Sequence, residues 1–310
     1  MSFIAVDIGA TKIRVASGNR KGIHEKRVEA TDRENGPRGV VTQIITMIRR
    51  LEESPRAIGV GSIGPLDLER GVIKNTPNYP FNRMPVAEPL RGEFGVPVRI
   101  TNDCTAGVLG EHVYGAGRSV QNLFYVTFST GIGGGAMVDG HLLVGKDGNA
   151  VEVGHLTIDP HSEMICGCGC PGHWEAYCGG MNIPRFARSL LRRGEWRGSL
   201  LDELCGGDTG ALTTEKLFDA AKRGDEAALR VVNEIGMVNA VGVADIVNAY
   251  DPELVTIGGG VALNNPELIL KPIQRHADNH VINRMPKIMI TPLGEDIVLY
   301  GALALTLKAE

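Results

Sequence analysis

Between Glu152 and Glu175 the chain reads EVGHLTIDPHSEMICGCGCPGHWE, a density of carboxylates, imidazoles and thiols that an ordinary loop does not carry. Glu152 and His155 stand three residues apart, Cys166, Cys168 and Cys170 follow on alternate positions, and Pro171-Gly172 turns the chain into His173 and Glu175. Thiolate and imidazole are the ligands zinc prefers, and a tight Cys-x-Cys turn with a histidine nearby can close a tetrahedron. Glutamates are poor zinc ligands in that company. They read instead as hydrogen-bond acceptors facing a polyhydroxylated substrate, held in place by a metal-bound loop. The plainer alternative is a glycine-rich loop that bears cysteines and no metal.

Three glycine clusters suggest a second chemistry. Phosphoryl transfer needs backbone donors around the phosphates, a metal ion among them, and a carboxylate to receive the acceptor's hydroxyl proton. Asp7-Ile8-Gly9-Ala10-Thr11-Lys12 offers amides and the Thr11 hydroxyl to a phosphate, with Asp7 placed to hold a magnesium-bound water. Ser129-Thr130-Gly131-Ile132-Gly133-Gly134-Gly135 covers another side, and Gly258-Gly259-Gly260 lies under the nucleoside. A single cluster is explained as well by a hairpin turn or close packing. Three of them, each directly after a strand, point to a nucleotide. No G-x-x-x-x-G-K-[ST] run is present, nor a G-x-G-x-x-G between a first strand and a helix, so the common P-loop and the dinucleotide fold are set aside. Asp103, after Asn102 at a strand end, is the preferred base; its competing role is the N-cap of the helix that follows.

The elements that must position these residues read as an α/β chain. Strand-turn-strand segments at Phe3–Ala16 and Phe124–Val138 share one plan at a separation of roughly 120 residues, too long for a solenoid period, so each opens one of two related domains. Asn35-Gly36-Pro37 starts a helix whose Val40, Val41, Ile44, Ile45, Ile48 and Leu51 share a face. Strands are expected at Ala57–Val60, Val98–Thr101 and Leu254–Ile257, and a helix from near Cys104 to Gly115. Trp174–Leu191 and Thr214–Tyr250 read as mainly helical, with Gly224-Asp225 an interruption and Asp251-Pro252 a stop. Ile297–Leu307 reads as a terminal helix. At 310 residues the chain suits two domains with a cleft between them. The expected division is a small lobe of residues 1–117 plus 297–310 and a larger lobe of residues 118–296 carrying the zinc loop 155–175.

Composition narrows the classes further. Apolar residues at 43% and charged residues at 22% suit a globular enzyme, and a net charge of -4 without a basic run argues against a nucleic-acid partner. The N-terminus lacks the features of a secretory signal, and no apolar run reaches the length of a membrane span. Six cysteines, three of them bunched, fit metal ligation in a reducing cytoplasm better than a disulfide framework.

Taken together, D-I-G-A-T-K at 7–12, T-N-D at 101–103, S-T-G-I-G-G-G at 129–135, E-V-G-H at 152–155, C-G-C-G-C-P-G-H-W-E at 166–175 and I-G-G-G at 257–260 resemble the ROK family of sugar kinases and repressors, in order and over nearly the whole chain. The resemblance implies an actin-like (ribonuclease H-like) ATPase fold, two lobes around a cleft, with ATP and Mg²⁺ as cofactors and a homodimer or larger assembly. It implies that Asn102, Glu152, His155 and Glu175 hold sugar hydroxyls, that Asp103 is the base, and that Gly64 and Asn78 line the sugar pocket. It also implies that His155, Cys166 and Cys168 bind a structural zinc. Position 173 departs from the family pattern, with His173 where a cysteine is usual and an additional thiol at Cys170. Repressors of the family carry a helix-turn-helix ahead of the first phosphate motif; here that motif begins at Asp7. The expected activity is ATP-dependent phosphorylation of a hexose, foremost glucose at its 6-hydroxyl. N-acetylmannosamine, fructose or several hexoses are the nearer alternative, and a non-catalytic sugar-binding regulator is the distant one.

Overall fold

The structure, a computed structural model, describes residues 2–74, 81–191 and 196–307. The chain forms two compact units, one of residues 1–125, 135–151 and 291–310, the other of residues 126–134 and 152–290.

In the first unit a five-stranded sheet runs Gly22–Ala30, Lys12–Asn19, Phe3–Ile8, Ile58–Ser62, Val98–Asn102, with the first three antiparallel and the last two added in parallel. Every residue of Phe3–Ile8 is buried, because the pleat sends Ile4, Val6 and Ile8 to one face and Phe3 and Ala5 to the other, and both faces are covered. Helix Gly36–Arg49 covers the first face with Val40, Ile44, Met47 and Ile48. The helices Asp103–Tyr114 and Ile297–Leu307 supply Leu109, Leu299 and Leu303 to the second. These two cross without side chains between them: a Cβ on Gly301 would lie 1.7 Å from the Ala106 carbonyl oxygen, and one on Gly110 would lie 2.7 Å from that of Ile297. The helix that begins at Asp103 is thereby seated against the sheet.

A second five-stranded sheet repeats the order of the first: His141–Leu142, Ile132–Val138, Leu123–Phe128, Leu254–Gly258, Lys287–Ile290. Two of its strands pass from one compact unit to the other, at 125/126 and at 134/135. Residues 118–125, 135–151 and 291–296, which the sequence-based division gives to the larger lobe, cluster with the first unit.

The second unit is mainly helical around its share of that sheet. Thr213 caps Thr214–Lys222 by accepting from the Lys216 amide at 3.3 Å. Gly224 takes φ +84°, and Asp225 then caps Glu226–Tyr250 through the Ala228 amide at 2.8 Å, so the expected interruption is a Gly-Asp break between two helices. Glu226–Tyr250 is long and apolar enough to cross a membrane, yet Val231, Ile235, Ala240, Val243 and Val247 are among its many buried residues, as in a core helix. The segment Trp174–Leu191 is two helices, Glu175–Cys178 and Ile183–Leu191, broken at Gly179-Gly180.

Candidate active site

Unit one presents two aspartates. Asn102 ends its strand in extended backbone, and its Oδ1 accepts from the amides of Cys104 at 2.8 Å and Thr105 at 3.3 Å, so Asn102 is the N-cap and Asp103 is the first residue of the helix. The N-cap role weighed for Asp103 therefore belongs to its neighbour. Asp103 Oδ1 also lies 2.8 Å from the Cys104 amide, and burial pushes its carboxyl above the usual carboxylate range against that donor. Gly64 stands beside the Asn102 carboxamide: a Cβ there would meet Nδ2 at 3.5 Å. Asn78 lies outside the described residues.

Asp7, next to last in the first strand and buried, pairs with Arg14 Nη1 at 2.9 Å. Burial raises its pKa to about 6, Arg14 opposes the rise, and the charge of Asp103 adds to it, which places the two acids in one electrostatic neighbourhood. The turn that follows is tight. The Gly9 amide donates to the Lys12 carbonyl at 3.0 Å, and a Cβ on Gly9 would come 2.9 Å from that oxygen. Gly9 and Ala10 are half-buried while Thr11 and Lys12 are exposed, a rim of backbone open to a ligand.

Unit two assembles around one peptide. Glu175 Oε2 accepts from the Ile132 amide at 3.0 Å, and a Cβ on Gly131 would lie 2.2 Å from the same oxygen. A Cβ on Gly154 would lie 2.1 Å from the Ile132 carbonyl oxygen, so the Glu152–His155 turn also packs on this peptide. Glu152 is exposed and His155 and Glu175 are half-buried. The expected phosphate turn is shorter than its sequence suggests. Gly133, Gly134 and Gly135 lie inside the strand Ile132–Val138, and only Ser129–Gly131 forms the turn. Gly135 serves packing, since a Cβ there would meet the Cys104 carbonyl oxygen at 2.2 Å.

The turn Ser129-Thr130 meets the third glycine cluster in a cavity of about 570 Å³, lined by Gly180, Met181, Thr214, Phe218, Lys222, Gly260, Val261, Asn264 and Asn265 among others. Gly258 is the buried last residue of its strand. Gly259 needs φ +86° and has the Phe128 carbonyl oxygen 2.3 Å from its Cβ position, whereas Gly260 is exposed with open space there. Phe218 forms an apolar wall and Lys222 Nζ donates to the Asn264 carbonyl at 2.8 Å. Sequence reading missed Thr214, Phe218, Lys222, Asn264 and Asn265. Helical periodicity marks Phe218 as core, and nothing local ties it to a glycine turn some forty residues on.

The thiols and imidazoles converge. The ligand atoms of His155, Cys166, Cys168 and His173 all lie within 4.8 Å of one another. Cys166 Sγ is 3.7 Å from His155 Nδ1 and 3.3 Å from His173 Nδ1, Cys168 Sγ is 3.4 Å from His173 Nδ1, and the two sulfurs are 2.9 Å apart. A tetrahedral zinc with ordinary bond lengths has edges of roughly 3.3–3.8 Å, so these three sulfur–nitrogen distances already suit it and the sulfur pair must open. The backbone holds this shape by itself: the Cys166 amide donates to the Cys170 carbonyl at 3.0 Å, Gly169 and Gly172 take positive φ, and Thr157 bridges to His173. Desolvation lowers the His173 pKa, with His155 adding to the effect, which favours the neutral imidazole a metal needs. Cys170 is exposed and outside the cluster.

Comparison with known proteins agrees with this geometry. The ROK family matches residues 3–309. A glucokinase of Pyrobaculum calidifontis is 42% identical over 81% of this chain and 79% of that protein, and one of Thermotoga maritima is 33% identical over 97% and 96%. Among solved structures, a ROK hexokinase from Thermus thermophilus superposes with a TM-score of 0.82 at 34% identity, over 100% of both chains. A ROK family glucokinase from Streptomyces griseus, in complex with glucose and AMPPNP, gives 0.82 at 29%, over 98% of this chain and 99% of that one. With the family's motifs on the turns just described and its two-lobed actin-like ATPase fold shared over the full length, this chain belongs to the ROK family.

Proposed function

We propose that the protein is an ATP-dependent hexose kinase that phosphorylates the 6-hydroxyl of glucose. The observation that carries the reading is Asp103: a carboxylate at a strand's carboxyl end, relieved of helix capping by Asn102 and raised in pKa by burial. A general base works best with its pKa near the operating pH, and burial moves Asp103 that way. The carboxylate takes the proton of the sugar hydroxyl as its oxygen attacks the γ-phosphorus in line. Asn102, Gly64, Asn78, Glu152, His155 and Glu175 are assigned to the sugar.

The phosphates are assigned to Asp7, Gly9, Ala10, Thr11 and Lys12 and to Thr130, Gly131 and Gly133. The nucleoside is assigned to the cavity lined by Phe218 and Gly260, beside Gly258 and Gly259. Mg²⁺, when bound with ATP, supplies charge neutralisation on the phosphates, and Asp7 is the side chain placed to hold its water. His155, Cys166, Cys168 and His173 would hold zinc, which supplies a rigid frame for His155 and Glu175. Six free cysteines and a zinc-thiolate set suit a reducing cytoplasm. We assign a homodimer or larger assembly and no nucleic-acid or membrane partner.

A coupled assay of ATP-dependent phosphorylation across glucose, mannose, fructose and N-acetylmannosamine tests the reading. Glucose is expected to give the highest kcat/KM. A preference for N-acetylmannosamine or fructose would reassign the substrate, and sugar binding without turnover would leave a regulator.

A further inference from the structure

Trp174 stands between a proposed zinc ligand, His173, and a proposed sugar contact, Glu175, and its side chain is wholly buried. Its ring packs edge-on to Phe128, with centroids 5.7 Å apart at 75°, and the residue after Phe128 opens the phosphate turn. On the other side lies the long helix Glu226–Tyr250. A Cβ on Gly242 would come 2.3 Å from the indole Cδ2, and the indole N–H donates to Asn239 Oδ1 at 2.9 Å. Asn239 and Gly242 are three apart and so share one helix face.

Asn239 is an expensive residue to keep there. It is fully buried, and among the described residues its Nδ2 has no hydrogen-bond partner, a cost that a leucine would not incur. An indole can only donate, so Oδ1 must face it and Nδ2 must turn away. The return for that cost is direction: a hydrogen bond fixes the rotation of the indole about the chain, which apolar packing alone constrains less. One residue later Glu175 must place Oε2 on the Ile132 amide at 3.0 Å, against a Gly131 with no room to give.

We propose that Asn239 is a positioning residue which, through the indole of Trp174, sets the placement of Glu175 for the sugar. This rests on the kinase reading. The test compares Asn239→Leu, Trp174→Phe and the double variant in the full-length, zinc- and magnesium-supplied protein, measuring kcat, KM for glucose and Tm. Each single variant is expected to raise KM for glucose about tenfold with kcat within about threefold, the scale of lost supporting contacts. Trp174→Phe should also lower Tm, because Oδ1 loses its donor. The double variant, with neither polar partner left, should recover Tm while KM stays high.

KM returning to the wild-type value along with Tm would make the pair merely structural and overturn the proposal, as would an unchanged KM in Asn239→Leu. Calorimetric titration of glucose into the wild type and each variant gives Kd independently of turnover. A protein that binds glucose without phosphorylating it would defeat the kinase reading alone, since Kd then carries the same comparison. A protein that does not bind glucose would defeat both.

Discussion

Asn102 and Asp103 divide two duties for which either type is suited. Asn and Asp are nearly equal as N-caps, so residue type alone does not say which one caps the helix. The extended backbone of Asn102 decides it, and Asp103 keeps its carboxylate at the start of the helix. The acid itself was legible from its place after an apolar strand; the relief from capping was not, because it depends on one residue's φ and ψ. The pKa shifts give a pH prediction. Asp7, raised to about 6, and Asp103, raised by burial, must both be ionised in the proposed enzyme, so kcat/KM should fall on acidification through about pH 6, above the ordinary carboxylate range. Stability should run the other way. A carboxyl whose folded pKa exceeds its unfolded value stabilises fully below the unfolded pKa, and that contribution is lost as pH rises through the folded one. Tm of the wild type relative to Asp7→Asn should therefore decline between about pH 4 and pH 7; a constant difference would contradict the shift.

At the scale of elements, both strand-turn-strand segments were readable from apolar strands and small turn residues, and they head sheets of the same strand order. The extent of the second turn was misread at Gly133, Gly134 and Gly135. They sit in a strand, and Gly135 is small because the backbone of Cys104 passes against it, a close approach that local sequence does not announce. Gly301 shows the same physics at the crossing of the helices Ile297–Leu307 and Asp103–Tyr114. Gly301→Ala would press a methyl into the Ala106 carbonyl, and thermal or denaturant unfolding should show a loss of about 2–3 kcal/mol or more; a loss below about 0.5 kcal/mol would mean that the helices part easily. The loop proposed to hold zinc makes a separate prediction. Protein purified without added zinc should carry close to one equivalent, and chelation should lower Tm and raise KM for glucose together. Less than about a third of an equivalent would argue for a metal-free loop. Cys170→Ser should leave the metal content unchanged, because His173 is the residue that meets the other three.

For the whole molecule, Asp7 and Asp103 belong to the first compact unit, and Thr130, Glu175 and the cysteine loop to the second. The motifs and their order were legible because short polar and glycine signals follow strands. The cavity proposed for the nucleoside was not, because its walls include residues of Thr214–Lys222 and Gly260–Asn264, which sequence alone does not bring together. The same holds for the unit boundaries, two of which fall inside strands. All of these assignments serve one transfer, and its weight falls on a single carboxylate. Turnover of glucose by Asp103→Asn at saturating ATP and Mg²⁺ is the direct measurement: the account predicts a kcat at least about a hundredfold below wild type with a Tm no lower than wild type, and a near-normal kcat would remove Asp103 from the role of base.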